Sequence, residues 1–266
     1  MTHRILRIVL TAALITGGWL ASASALDQEA RVRVTPEIVR MGAFYAGANV
    51  RVEGTTALDE KIIVVVRGPE LTEVFNQTGR LGPIWVSTGK VAISGVPSLF
   101  LVFCSEPVNA CLTRAAIDQY GLDLPALQKM MHIECKARDC RRVAEDYLLY
   151  KKMQGSYRMV NGGFRMTQPD AGGVSFTSYT LDFVLPRCAA PGQYQINVLE
   201  CRGGEIVTSS DVPLQVVEVG FPALIGWLAS QHASSYGILS VVVALIAGLG
   251  IDFVAARLFK RGIAGH

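Results

Sequence analysis

The strongest constraint on this chain is the uncharged stretch from Tyr236 to Ile251, which Asp252 interrupts and which Phe253 to Phe259 resume with only Arg257 among them. A helix apolar on every side has no polar face to turn to water, so it must sit in a core or in lipid. The stretch is near the short limit for a bilayer span, and Arg257, Lys260 and Arg261 lengthen it by reaching to the headgroups. It is therefore read as one transmembrane helix over 236–259, followed by a tail over 260–266. Cytoplasmic flanks collect Lys and Arg, so these three charges place the tail inside and the bulk of the chain outside.

A second apolar run agrees. His3, Arg4 and Arg7 precede the uncharged residues from Ile8 to Leu20, and small residues then end in Ala23-Ser24-Ala25. A basic start, a short apolar middle and an A-x-A site describe a secretory signal peptide, and the run falls short of the roughly 20 residues of a span. Residues 1–25 are read as the signal and Leu26 as the mature start. The domain over 26–219 is then periplasmic, held at a bacterial inner membrane by its C-terminal helix.

This topology changes the meaning of the composition. Of 25 Lys and Arg and 22 Asp and Glu, five bases and one acid lie in the two membrane segments and the tail, which leaves 20 basic against 21 acidic residues in the exported part. A nearly neutral domain has no basic face for nucleic acid. The six cysteines, Cys104, Cys111, Cys135, Cys140, Cys188 and Cys201, all lie in the exported part. An even count in an oxidising compartment predicts disulfides. Cys104 with Cys111 and Cys135 with Cys140 are close enough in sequence to meet across turns. The remaining pair, Cys188 with Cys201, is separated too far to bond if an extended strand lies between.

The exported chain begins in strand periodicity. Arg31–Val34, Ala48–Gly54, Lys61–Arg67, Leu71–Asn76, Ile84–Ser87, Val91–Ser94 and Leu99–Cys104 are short, rich in β-branched and aromatic residues, and separated by Gly and Pro. Ile62 to Val66 is apolar throughout, which predicts a central strand covered on both faces. From Glu106 to about Gly155 the pattern is helical, in three pieces: Val108–Tyr120, Leu124–Met131 and Asp139–Met153. Strands return with Phe164–Thr167, Val174–Val184, Gln193–Cys201 and Ile206–Val219. The order predicts a mainly β fold, a β-sandwich with a helical insertion at about 106–155.

Within it, Pro191-Gly192 precedes a strand whose alternation puts Tyr194, Ile196 and Val198 on one face. A Tyr at such a strand start resembles the tyrosine corner of immunoglobulin-like folds, as any hairpin with a buried Tyr would, and the expected sandwich is immunoglobulin-like on that ground. Arg202-Gly203-Gly204-Glu205 reads as a tight hairpin into the last strand. Residues 220–235, with Leu224, Ile225, Trp227 and Leu228, form a membrane-proximal segment at the interface.

Several stretches together resemble a family of single-span transmembrane proteins of unknown function found chiefly in alphaproteobacteria: Ile63-Val64-Val65-Val66-Arg67-Gly68-Pro69, Gly82-Pro83-Ile84-Trp85-Val86, Val96-Pro97-Ser98-Leu99-Phe100, Pro191-Gly192-Gln193-Tyr194 and Val219-Gly220-Phe221. The likeness lies in their order and spacing over most of the mature chain. It implies an exported β-rich domain on one C-terminal anchor, with genes often beside permeases of the sulfite-exporter type, and it carries over no catalytic residue. The six cysteines depart from the family pattern.

Chemical motifs are few. Cys135 and Cys140 beside His132 could serve thiol exchange or hold a metal, but four intervening residues is not the redox C-x-x-C spacing, and three soft ligands make a thin zinc site, so a structural disulfide is preferred. Gly89-Lys90 after Gly82 is a hairpin turn rather than a phosphate loop, since Val91 stands where Ser or Thr is needed. No catalytic residue, metal or cofactor is assigned. In the last helix Ser240, Ala244, Gly248 and Asp252 recur every four residues and form one stripe of small side chains ending in an acid, a face for a partner helix. The expectation is a non-enzymatic accessory protein that works in the membrane with another inner-membrane protein such as a permease. The alternative is an envelope thiol-redox protein using Cys135 and Cys140.

Overall fold

The computed structural model describes residues 32–135, 140–167 and 176–260. The expected signal peptide lies outside them, as do the residues between Cys135 and Cys140 and nearly all of the expected tail. The strands in chain order are β1 (Val32–Thr35), β2 (Ile38–Met41), β3 (Ala48–Ala57), β4 (Lys61–Arg67), β5 (Glu73–Leu81), β6 (Ile84–Ser94), β7 (Phe100–Cys104), β8 (His132–Cys135), β9 (Tyr157–Asn161), β10 (Phe164–Thr167), β11 (Phe176–Leu185), β12 (Gly192–Arg202) and β13 (Glu205–Glu218). Helices α1 (Val108–Cys111), α2 (Arg114–Tyr120), α3 (Leu124–Met130) and α4 (Cys140–Gln154) lie between β7 and β9, and α5 (Phe221–Gln231) and α6 (Ala233–Lys260) follow β13. The chain divides into two compact units, one of residues up to Val39 with Ala46–Val216, the other of Arg40–Tyr45 with the residues from Val217.

In the first unit, β4 lies near the centre of a sheet ordered β2-β13-β12-β4-β7-β9. Its Ile62 to Val66 are all fully buried, as an uninterrupted apolar run requires of a strand covered twice. One face, with Val64 and Val66, looks toward a sheet ordered β1-β3-β11-β10. The buried Val50 and Val52 of β3 and Tyr179, Leu181 and Phe183 of β11 meet it, and the rings of Phe103 and Phe183 are 5.2 Å apart across the two sheets. The other face, with Ile63 and Val65, forms a second core with Phe100, Val102, Leu199, Val108, Ile117, Leu122 and Leu127, supplied by β7, β12 and the helices.

The mainly β architecture and the single C-terminal apolar helix are thus as expected. The Tyr194 hydroxyl donates to the Ala190 carbonyl at 2.8 Å, across the turn before β12. Tyr194, Ile196 and Val198 share the buried face of β12. The hairpin after Arg202 is also met: Arg202 pairs with Glu205 around Gly203 and Gly204, both at positive φ, as a type I′ loop demands. Strands β5, β6 and β8 form a separate three-stranded sheet, and β9 pairs parallel with β7.

The insertion is more broken than periodicity predicts. The expected helix over Val108–Tyr120 is two, because Thr113 is extended and its side chain caps Ala116 N–H, starting α2 anew. Asp123 caps α3 in the same way. After α3 the chain forms strand β8, which adds to the edge of β6 through Val91–Ser94. Its four residues are too few to register as a period. The turn expected at Gly89-Lys90 is also corrected. Gly89 and Lys90 lie within β6, opposite Gln77 and Asn76, and a bulge at Gln77/Thr78 absorbs the odd residue, so the hairpin turns at Gly82-Pro83 instead. Buried Lys151 ties α4 to this sheet, donating to Glu73 at 2.5 Å and to the Ser98 carbonyl at 3.1 Å, with the rings of Tyr147 and Tyr157 against it.

In the second unit, α6 is mostly apolar, with Asp252, Arg257 and Lys260 as its charged residues, and Ala233–Arg257 is long and apolar enough to cross a membrane. Pro222 in the first turn of α5 suits a helix start, and Val219 N–H donates to the Met41 carbonyl at 2.9 Å.

Tyr194→Phe keeps the ring in its pocket and removes one hydrogen bond to a carbonyl, so it should lower stability by about 1 kcal/mol. Thermal melting of the detergent-solubilised chain measures this, and an unchanged midpoint would show that the corner bond contributes nothing.

Candidate functional site

The helices of the insertion cover only part of the outer face of the sheet. On β12 that face runs from Gln193 through Gln195 and Asn197 to Leu199 and Cys201. Leu199 and Cys201 are buried under the helical core, whereas Gln193 and Gln195 are exposed. The uncovered end, together with Ser209, Asp211 and Pro213 of β13 and the Gln119-Tyr120-Gly121 end of α2, encloses a cleft of about 880 Å³.

Its floor carries a row of polar side chains across three neighbouring strands. Arg67, the last residue of β4, donates from Nη1 to Asn197 Oδ1 at 2.5 Å, and Asn197 donates from Nδ2 to Asp211 Oδ1 at 2.5 Å. The second guanidinium nitrogen of Arg67 donates to the Tyr120 carbonyl at 2.7 Å. That bond satisfies an orphan carbonyl at the C-terminal end of α2, where Gly121 closes the helix at a φ of 61°. Phe100 lies under the guanidinium, 5.7 Å from it. Burial pushes the Arg67 pKa down, and the charge of Asp211 opposes the shift. A guanidinium has five N–H donors and stays charged, and both oxygens it bonds are neutral, so donors remain for an anion entering the cleft.

The cysteines are arranged differently from their expected pairing. Cys104, Cys111, Cys188 and Cys201 carry free thiols. Cys188 sits in the turn before β12, near Ser156 Oγ at 3.4 Å, and Cys201 is near the far end of that strand. Nine strand residues, Gly192 to Glu200, lie between them and hold them roughly 30 Å apart, which rules out a bond between them. Cys104, at the end of β7, and Cys111, at the end of α1, instead share the helical core with Cys201. Burial, with the charge of Cys111 adding to it, pushes the Cys104 and Cys201 thiols up to about 12. Cys135 ends β8 and Cys140 begins α4, on either side of residues outside the described ones. His132, at the start of β8, is exposed and pairs with Ser94 in the ladder. Among the described residues no group of three or more His, Cys, Asp or Glu is placed to hold a metal ion.

Ser240, Ala244, Gly248 and Asp252 lie along α6 and are all exposed. Ser240 Oγ bonds back to the Tyr236 carbonyl at 2.8 Å within the helix, and a Cβ at Gly248 would meet nothing within 4 Å. The cleft row was not legible beforehand. Arg67 reads as the polar end of an apolar strand, and Asn197 and Asp211 as ordinary outward positions of strands. The available signal was the run of amides at alternate positions, Gln193, Gln195 and Asn197.

The thiols yield a prediction in two parts. In the native protein an alkylating reagent should modify Cys188 well before Cys104, Cys111 and Cys201, which become reactive only on unfolding; early labelling of Cys104 would contradict their burial. Cys104 and Cys201 bind protons more tightly folded than unfolded. Their contribution to stability is complete below pH 9, the ordinary thiol value, and is lost as pH rises toward about 12, so melting temperature should fall across that interval and fall less in a Cys104→Ala, Cys201→Ala variant.

No curated protein matches the chain, and no solved structure does. A protein family described as "Putative transmembrane protein (Alph_Pro_TM)" matches residues 30–257, which take in both the cleft and the apolar helix. The chain belongs to this family of transmembrane proteins.

Proposed function

We propose that this protein is a non-enzymatic accessory protein of the bacterial inner membrane, with its β domain in the periplasm, its tail in the cytoplasm and its anchor helix paired with a second membrane protein. A permease of the sulfite-exporter type is the partner that the family resemblance implies. The observation that carries the reading is the Arg67, Asn197 and Asp211 row in an open cleft. It sets a cation and an anion on one floor with an amide between them. A small zwitterion fits that order, its carboxylate taking the free N–H groups of Arg67 and its ammonium facing Asp211, while Gln193, Gln195 and Ser209 bond the remainder. The cleft captures the ligand, and α6 conveys occupancy through the stripe from Ser240 to Asp252.

Two measurements test the two halves. Amino acids and dipeptides should raise the melting temperature of the purified full chain. The rise should disappear in Arg67→Met and weaken in Asp211→Asn, and a panel that shifts nothing would overturn the ligand. Gentle solubilisation, capture through a tag after His266 and mass spectrometry should recover a membrane transporter with wild type and lose it with Gly248→Leu. Equal recovery with that variant would discard the helix pairing.

A further inference from the structure

Beyond the cleft, the hairpin of β5 and β6 carries a surface that the fold of the first unit leaves open. β8 supports β6 only at Val91–Ser94, so among the described residues no third strand pairs with the distal part of the hairpin. A two-stranded ribbon is marginal in water, and its end would be expected to be polar. Here it is apolar: Leu81, Ile84 and Trp85 expose 68%, 58% and 70% of their surface around the Gly82-Pro83 turn. An exposed group of large apolar side chains marks a contact surface.

The chemistry around the tip indicates what it touches. Between Glu73 and Glu106 the only charged residues are Arg80 and Lys90, so no carboxylate lies on the hairpin beyond its base. Arg80 stands opposite Trp85 in the ladder, and Leu81 opposite Ile84. The turn is also prepared for a dry environment. Pro83 has no N–H to desolvate, and the Gly82 carbonyl accepts a bond from Arg80 Nε at 3.2 Å. Gly82 has a φ of 61° and is the first residue of a two-residue loop, the position where a tight hairpin takes Gly.

We propose that the Leu81–Trp85 tip inserts into the interfacial layer of an anionic phospholipid bilayer. Trp85 takes the headgroup level, Leu81 and Ile84 reach the upper acyl chains, Arg80 opposite Trp85 meets the lipid phosphates, and Lys90 farther along the hairpin adds attraction to the anionic surface. The charge pattern favours lipid over a protein partner, whose surface would ordinarily present both signs. The anchor supports the reading further, since a chain fixed in a bilayer always has lipid at high effective concentration.

The experiment uses the full chain with Trp19→Phe and Trp227→Phe, which leaves Trp85 as the one tryptophan, reconstituted in vesicles of phosphatidylethanolamine and phosphatidylglycerol. Lipids brominated high on the acyl chain should quench Trp85 emission about two-fold or more, because a tryptophan at the headgroup level lies beside those chain segments. Arg80→Glu with Lys90→Glu should reverse much of that quenching while the melting temperature stays unchanged, which separates lost contact from misfolding. Emission quenched by aqueous iodide and untouched by bromolipid would overturn the proposal. Shielding of Trp85 in native membranes but not in pure lipid vesicles would overturn it too, and would assign the tip to a protein partner.

Discussion

The first unit depends on burying strand β4 from both sides. Five consecutive apolar residues, Ile62 to Val66, cannot alternate between core and water, so each face needs its own cover. The sheet ordered β1-β3-β11-β10 supplies one cover and the helical insertion the other. Fully burying side chains of this kind stabilises by roughly 1.5–3 kcal/mol each, so a change to Ala within this strand opens whichever of the two cores that side chain points into.

The cleft follows from the same arrangement. The insertion is shorter than the sheet face on which it packs, and it covers the end carrying Ile63, Leu199 and Cys201 while leaving the end carrying Gln193, Gln195 and Asn197. Arg67 stands at that boundary. It holds the end of α2 through the Tyr120 carbonyl and at the same time faces the cleft beside Asn197. One side chain therefore joins the cover to the floor, and the shape of the cleft depends on a residue that also lines it.

Strand-to-strand patterns were legible because their signals are local. The all-apolar run of β4, the alternation of Tyr194, Ile196 and Val198, and the Gly203-Gly204 loop each depend on neighbours in sequence. The misplaced turn at Gly89-Lys90 shows the limit. Glycine permits both a turn and a bulge, and only the pairing of β5 with β6 chose the bulge. β8 and β9 were missed for a related reason, since each is a short segment held by an edge made elsewhere in the chain.

By itself the sequence determined the apolar helix that Ala233–Arg257 form, the mainly β character and the central place of β4, because hydropathy and periodicity are properties of contiguous residues. The tertiary structure alone decided that Arg67, Asn197 and Asp211 form a row, that Cys104, Cys111 and Cys201 gather in one core, and that Leu81, Ile84 and Trp85 stand uncovered. These groupings join residues as much as 144 positions apart, from Arg67 to Asp211. Strand order and the extent of the helical cover set them, and no short-range pattern encodes either.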